Sequence, residues 1–211
     1  MTYLVFAYFA VAIIEKVLKS RIHNHTESIN KKSSARDSVQ VAVNGGAAAI
    51  CIVAYALTNQ KAFFICFMVG IGEAIADSVA SDIGILSHKN PVNILTFKRM
   101  EKGMSGGISF LGTASALFAC ILFGMIYFFY ALDLKGCIII ILASFFGCII
   151  DSILGVLVQA KYQCAICQCK TEKTVHCNHD TVLLSGVRII DNCIVNLFSN
   201  IIAVIFALVI F

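Results

Sequence analysis

The chain reads as an all-α membrane protein, a polytopic bundle of about six transmembrane helices with a short Cys/His loop. Three observations lead there. Of its 211 residues, 59% are apolar, 13% are charged and one is proline, where a soluble domain carries about 25% charge. Apolar runs long enough to cross about 30 Å of hydrocarbon recur near residues 2–18, 41–58, 61–84, 108–132, 136–159 and 186–211. Basic residues gather in every second connection, the bias that marks cytoplasmic loops. The spans follow one another with short links, so residues 1–211 are expected to form a single integral membrane domain.

Span one, 2–18, ends in Glu15 and Lys16 and carries no recognisable chemistry. No Lys or Arg precedes it, which argues against a signal peptide. The connections 19–40, 85–107 and 160–185 hold nearly all the Lys and Arg, while the opposite side has only Lys61 and Lys135. These three segments are therefore expected to face the cytoplasm, with both termini outside. The net charge of +4 mostly expresses this bias; it suits anionic substrates and does not indicate nucleic-acid binding.

Span two follows Arg36 and Asp37, with Asn44-Gly45-Gly46 about two turns inside it. The glycines serve close helix packing, or else Asn44 and bared backbone line a site. Span three ends in Glu73, Asp77, Ser81 and Asp82. At about 100° per residue the first three share a face, and Asp82 stands about 140° from Asp77, so both aspartates reach one site only if the helix loosens before Gly84. Such acids can simply mark where a span meets water. Against that, an aspartate at membrane depth costs about 2.5–3.5 kcal/mol, and three acids within ten residues of an apolar helix favour function.

Lys98, Arg99 and Lys102 come next, then Gly103, Ser105, Gly106 and Gly107 where span four begins. The bases are either interfacial anchors or phosphate ligands. The glycines favour phosphate, because a helix start presents free N–H groups and a positive end to an anion. The spacing is not GxxxxGK[ST], which excludes a Walker-type nucleotide fold. Span five is apolar up to Asp151, and an isolated aspartate about two turns from a helix end is a functional site by default; the alternative is pairing with Arg188. Span six opens with SGVRIIDNCIVN, in which Asn192 and Asn196 share a face and bond either neighbouring helices or a ligand. Spans two, four and six start where spans three and five end, so helix N-termini suited to phosphate adjoin carboxylates suited to a cation.

Of ten cysteines, six lie in apolar spans as small core residues. The others sit in the last loop, KYQCAICQCKTEKTVHCNHD. In a reducing compartment such a cluster favours metal over disulfide. Cys169, His176 and His179 lie in the same stretch, and Cys164, Cys167 and Cys177 with one histidine, His176 in the first place, could supply the four ligands of a Zn²⁺ site that would fold a loop too small to hold itself. The spacing between Cys167 and His176 is shorter than in a standard finger, which leaves zinc and free thiols both open.

Together these stretches resemble one family: the integral membrane proteins grouped as domain of unknown function 92, which includes phytyl phosphate kinase and transmembrane protein 19. The carriers are RDSVQVAVNGG (36–46), ADSVASDIG (76–84), TFKRMEKGMSGGISFLGTAS (96–115), DSILGVLVQ (151–159), the YQCAIC…HC loop and GVRIIDNCIVN (186–196). Polyprenol kinases and phosphatidate cytidylyltransferases are distantly similar, with an acidic helix and a Lys and Gly-rich segment in the same order.

The resemblance implies phosphoryl transfer from a nucleoside triphosphate, CTP being favoured, to an isoprenoid monophosphate at the cytoplasmic membrane face. Asp77, Asp82 and Asp151 would hold Mg²⁺; Lys98, Arg99 and Lys102 would hold nucleotide phosphates, with Gly103, Ser105, Gly106 and Gly107 in backbone contact; Asn44, Asn192 and Asn196 would orient the acceptor, its tail among membrane lipids. Asp82 stands where the family usually has Glu. Relatives also carry apolar sequence before span one, so part of a lipid groove is expected to be absent or supplied by another subunit of a homo-oligomer. Lipid cytidylyl transfer uses the same residues. A small ion- or proton-coupled transporter, with Asp77, Asp151 and Asp191 as relay, is the alternative from another class.

Overall fold

The computed structural model describes residues 38–211, with side chains from residue 43. Span one, Glu15, Lys16, Arg36 and Asp37 lie outside the described residues. Five helices follow in order: α1 Ser38–Thr58, α2 Lys61–Gly84, α3 Phe110–Ala131, α4 Leu134–Leu157 and α5 Asn192–Ile210. The last four are each long and apolar enough to cross a bilayer, and α1 contributes a shorter apolar stretch, Val43–Thr58.

The helix boundaries have local causes. Asn59 takes a left-handed backbone (φ 56°), which asparagine tolerates, so α1 reverses into α2 within two residues. Leu132, also left-handed (φ 50°), ends α3 and lets Asp133 precede α4. Ser109 starts α3 by accepting from the Gly112 N–H at 3.1 Å, and Asp191 starts α5 by accepting from the Ile194 N–H at 3.0 Å; both cap a donor that the helix leaves unpaired. The sixth span therefore becomes helical at Asn192 rather than Gly186, because the chain before it is held in a strand and a turn.

Helix α2 is the centre, packed against all four others. Small residues make that possible. A Cβ on Gly70 would stand 3.1 Å from the Ala48 Cβ on α1, and one on Gly112 would stand 2.9 Å from the Ala80 carbonyl oxygen. Without a hydrophobic force between helices in lipid, such close approach is what binds them. Phe110, Phe118 and Phe129 on α3 stay exposed, as a lipid-facing surface requires.

Two small sheets sit at the end of the bundle where α2 and α4 finish. β1 (Val92–Asn93) pairs with β2 (Gly107–Ile108). The last long connection, expected only as a loop, is a four-stranded sheet of β3 (Lys161–Cys164), β4 (Lys170–Thr171), β5 (Val175–His176) and β6 (His179–Ser185), ordered β4-β3-β6-β5.

Candidate functional site

The polar residues of the helices meet in one layer. At 1.5 Å rise per residue, Asp77 and Asp151 lie about 10 Å inside the ends of α2 and α4, Ser199 and Asn200 about 10–12 Å inside α5, Asn44 about 9 Å inside α1, and Glu73 deeper, at about 16 Å. Glu73 is 2% exposed and Asp151 9%, while Ser199 and Asn200 are fully buried.

Their hydrogen bonds tie three helices together. The Asn200 side-chain amide donates to Glu73 Oε2 at 2.6 Å and to the Gly70 carbonyl at 2.7 Å. The Ser199 hydroxyl lies 2.9 Å from Glu73 Oε1 and 3.3 Å from Asp151 Oδ2. One hydroxyl carries one proton, so it serves a single carboxylate at a time. The Asn196 amide, oriented so that both its atoms find complementary partners, donates to Asp151 Oδ2 at 3.1 Å and to the Asn192 carbonyl at 2.8 Å. In the opposite orientation the same nitrogen instead donates to Asn44 Oδ1 at 3.4 Å, so the amide serves Asp151 or Asn44, not both at once. Asp77, half-buried, acts electrostatically on both Glu73 and Asp151. Three carboxylates thus converge where water is scarce, and the groups bonded to Glu73 and Asp151 are neutral amides and a hydroxyl. That is a donor set for a hard cation.

Asp82 stands elsewhere on α2. The helix stays α-helical through Gly84 and does not loosen, so Asp77 and Asp82 keep about 140° between them. Arg188 is exposed and precedes α5; Asp151 is satisfied by Ser199 and Asn196 instead.

The glycine segment is placed beside Asp151. Gly106 has φ +80°, and a Cβ there would lie 2.8 Å from the Ser152 carbonyl oxygen; a Cβ on Gly155 would lie 3.0 Å from the Gly106 nitrogen. Glycine at both positions lets this loop lie on the last turns of α4. Its neighbouring N–H groups are engaged internally: Ser105 donates to Glu172 Oε1 at 2.6 Å, and Gly107 to the Met104 carbonyl at 3.3 Å. Ser105 is held further by Gln159 Nε2 on its hydroxyl at 3.0 Å and Lys161 Nζ on its carbonyl at 3.1 Å. The Ser105 hydroxyl also lies 3.5 Å from Asn192 Oδ1. Gln159 is 1% exposed, and its Oε1 accepts nothing among the described residues. Burial holds the Lys161 ammonium below its usual pKa.

The three bases divide. Lys102 donates to the carbonyls of Ser87 at 2.6 Å and Ile85 at 3.4 Å, just past the end of α2, where a cation favours the helix dipole. Lys98 and Arg99 are exposed, on the stretch that folds back along β1: the Asn93 N–H donates to the Lys98 carbonyl at 2.8 Å, and Arg99 bridges to Val92. Their side chains reach solvent. Gly103, with φ +84°, makes the turn between these bases and Ser105.

In the sheet, Cys164, Cys167, His176 and Cys177 place their ligand atoms within 4.8 Å of one another, a group that could hold a metal ion. The Cys169 N–H lowers Cys167 to about 7, while the neighbouring Cys167 sulfur raises Cys177 to about 11.

Sequence reasoning singled out Asn44, Asp77, Asp151 and Asn196, and the structure gathers them. It counted Glu73 among the acids that favour function without giving it a specific part, noted Gln159 only at the exit of span five, and did not single out Ser199, Asn200, Lys161 or Glu172. The one available signal was Ser199-Asn200 in the middle of an apolar span, where polar side chains are expensive.

A family model described as Integral membrane protein DUF92 matches residues 1–204. Protein PGR of Arabidopsis thaliana is 32% identical, over 80% of this chain and 67% of its own length. An uncharacterized membrane protein of Methanocaldococcus jannaschii is 27% identical, over 69% of this chain and 61% of its own length. No solved structure matches. With several helices, a buried polar layer and a family pattern running along nearly the whole sequence, this multi-pass chain belongs to the DUF92 family of integral membrane proteins.

Proposed function

We propose that the chain is a lipid phosphate kinase, moving the terminal phosphoryl group of a nucleoside triphosphate, CTP by preference, onto an isoprenoid monophosphate at the cytoplasmic membrane face. The observation that carries this reading is the Ser199 hydroxyl standing between Glu73 and Asp151, 2.9 and 3.3 Å away, with the glycine segment packed on the turn that follows Asp151. Carboxylates that suit a cation and the segment that carries the exposed bases Lys98 and Arg99 then share one end of the bundle, while the Ser105 and Gly107 N–H groups are taken up within the fold.

In this reading Asp77 and Asp151 would hold Mg²⁺, and Glu73, locked by Asn200, fixes the layer beneath them. Mg²⁺ there would supply charge neutralisation for the phosphates. Lys98 and Arg99, exposed and unfixed, would close on the nucleotide; Asn44, Asn192 and Asn196 would orient the acceptor. A phosphate monoester needs little general-base help, so alignment and charge are the protein's task. The acceptor oxygen attacks the terminal phosphorus, the bond to the bridging oxygen breaks, and CDP leaves with lipid diphosphate as the other product. Zinc, if held by the Cys/His group, is structural here, since four protein ligands leave no open position.

The test is purified protein in lipid nanodiscs with CTP, Mg²⁺ and prenyl monophosphates. CDP and a lipid diphosphate support the reading. A CDP-lipid with pyrophosphate moves it to a cytidylyltransferase, and no turnover with any nucleotide removes it. A second reading, cation- or proton-coupled transport, is favoured by one observation: a glutamate as deep as Glu73 bonded by neutral groups. Ion flux in proteoliposomes that Glu73→Gln stops, without nucleotide, would favour it.

A further inference from the structure

The sheet from Lys161 to Ser185 poses a stability problem. Within it only Tyr162 and Cys164 are buried, and a unit this small needs a crosslink or a metal to hold it. Its cysteines are all free thiols. Its two hairpins pair along β3 and β6, and beyond that pairing a set of four side chains gathers from both. Cys164 ends β3 and Cys167 follows in the turn to β4; His176 ends β5, and Cys177 opens a two-residue turn in which Cys177 and Asn178 both have left-handed backbones (φ 52° and 59°), the geometry of a tight hairpin.

The dimensions suit one ion. A tetrahedral Zn²⁺ with arms of about 2.0–2.3 Å sets its ligand atoms about 3.5–3.8 Å apart. His176 Nδ1 lies 3.5 Å from Cys167 Sγ and 3.3 Å from Cys177 Sγ, and the full set spans no more than 4.8 Å. The Cys164 sulfur lies 3.8 Å from the His176 carbonyl oxygen, so the ends of β3 and β5 meet at the same point.

We propose that Cys164, Cys167, His176 and Cys177 bind one Zn²⁺ that folds this sheet, and that the folded sheet positions the glycine segment through Lys161 and Glu172. β3 delivers Lys161 to the Ser105 carbonyl, and the residue after β4 delivers Glu172 to the Ser105 N–H. Ser105 is thus gripped on both backbone groups next to Gly106. Binding replaces three thiol protons, released to solvent, with the ion. The metal part of this proposal stands apart from the kinase reading; only the importance of positioning Ser105 rests on it.

Full-length protein purified without chelator is expected to carry about one zinc per chain by plasma mass spectrometry. Cys167→Ser and His176→Ala should each lower that content at least tenfold, whereas Cys169→Ser, outside the set, should retain it. Stripping the metal should speed hydrogen exchange of the Ser105 amide at least tenfold, and Glu172→Ala, which removes the acceptor of that N–H, should do the same with zinc still bound. These readouts need no substrate, so they stand if the enzyme assay fails. Wild-type protein that neither carries zinc nor takes it up, or equal loss in Cys169→Ser, overturns the site. Unchanged Ser105 exchange after stripping overturns the positioning role.

Discussion

The Glu73 side chain lies directly against the bare Cα of Gly147: a Cβ on Gly147 would come within 2.5 Å of Glu73 Cγ and 2.8 Å of Ala203 Cβ. One missing methyl on α4 therefore gives the buried glutamate its room between α2 and α5. The arrangement makes Glu73 a test of both packing and chemistry.

Gly147→Ala must push Glu73 off Asn200 and Ser199 or spread α4 from α5. Overpacking of this kind costs about 1–3 kcal/mol, so the variant should melt lower in detergent. Gly45→Ala is the matched control, because among the described residues nothing lies within 4 Å of a Cβ there. It should be neutral or stabilising by about 0.5–1 kcal/mol, the ordinary helix preference for alanine. Equal melting shifts in both would mean that the α4 contact is looser than described.

Asp151→Asn keeps size and can still hydrogen-bond Ser199, but it removes a charge from the proposed cation site. Turnover should fall about 100-fold or more, the scale of a lost electrostatic contact at a reacting phosphate, with the melting temperature little changed. Retained turnover at saturating Mg²⁺ would take Asp151 out of the site.

The bases should separate by role. Lys102→Met removes two bonds at the end of α2 and should destabilise by about 1 kcal/mol. Lys98→Ala and Arg99→Ala, being exposed, should leave melting unchanged and raise the apparent KM for nucleotide. A melting scan beside a nucleotide titration on the three variants reads both effects; a KM effect confined to Lys102→Met would reverse the assignment.

At the other end of the bundle, Asp133 bonds Lys61 at 2.8 Å and accepts from the Tyr127 hydroxyl at 2.8 Å. The Lys61 ammonium is the main cause of its carboxyl lying lowered, at about 2. The unfolded value is about 3.9. A depressed folded value gives stability that is present above pH 4 and is lost as pH falls from there through 2. Because Lys61 is half exposed, solvent screens much of the effect. Melting of wild type should drop more steeply over that window than melting of Asp133→Asn, and parallel curves would deny the pair a role.

Parts of this protein were legible because one rule governs them. A segment that crosses lipid must satisfy its backbone within itself, so it needs about twenty apolar residues. Hence 61–84 was readable as a span and returned as Lys61–Gly84. The polar sheet obeys no such rule. Its strands of two to seven residues carry no periodicity that composition reveals, and only the Cys164–Cys167 and His176–Cys177 spacing hinted at order.

By itself the sequence determined how many apolar helices the described chain has, nearly where they end, and that acids and bases crowd one end of them. Burial cost alone marks those acids, since a carboxylate in an apolar run is conspicuous anywhere. Which of them meet was decided by tertiary structure. Glu73 and Asn200 are 127 residues apart, and their contact depends on Gly70, Gly147 and Ala203 letting three helices approach. Asp77 and Asp82, five residues apart, are kept separate by the same helix that makes both visible, because 3.6 residues per turn sets their directions.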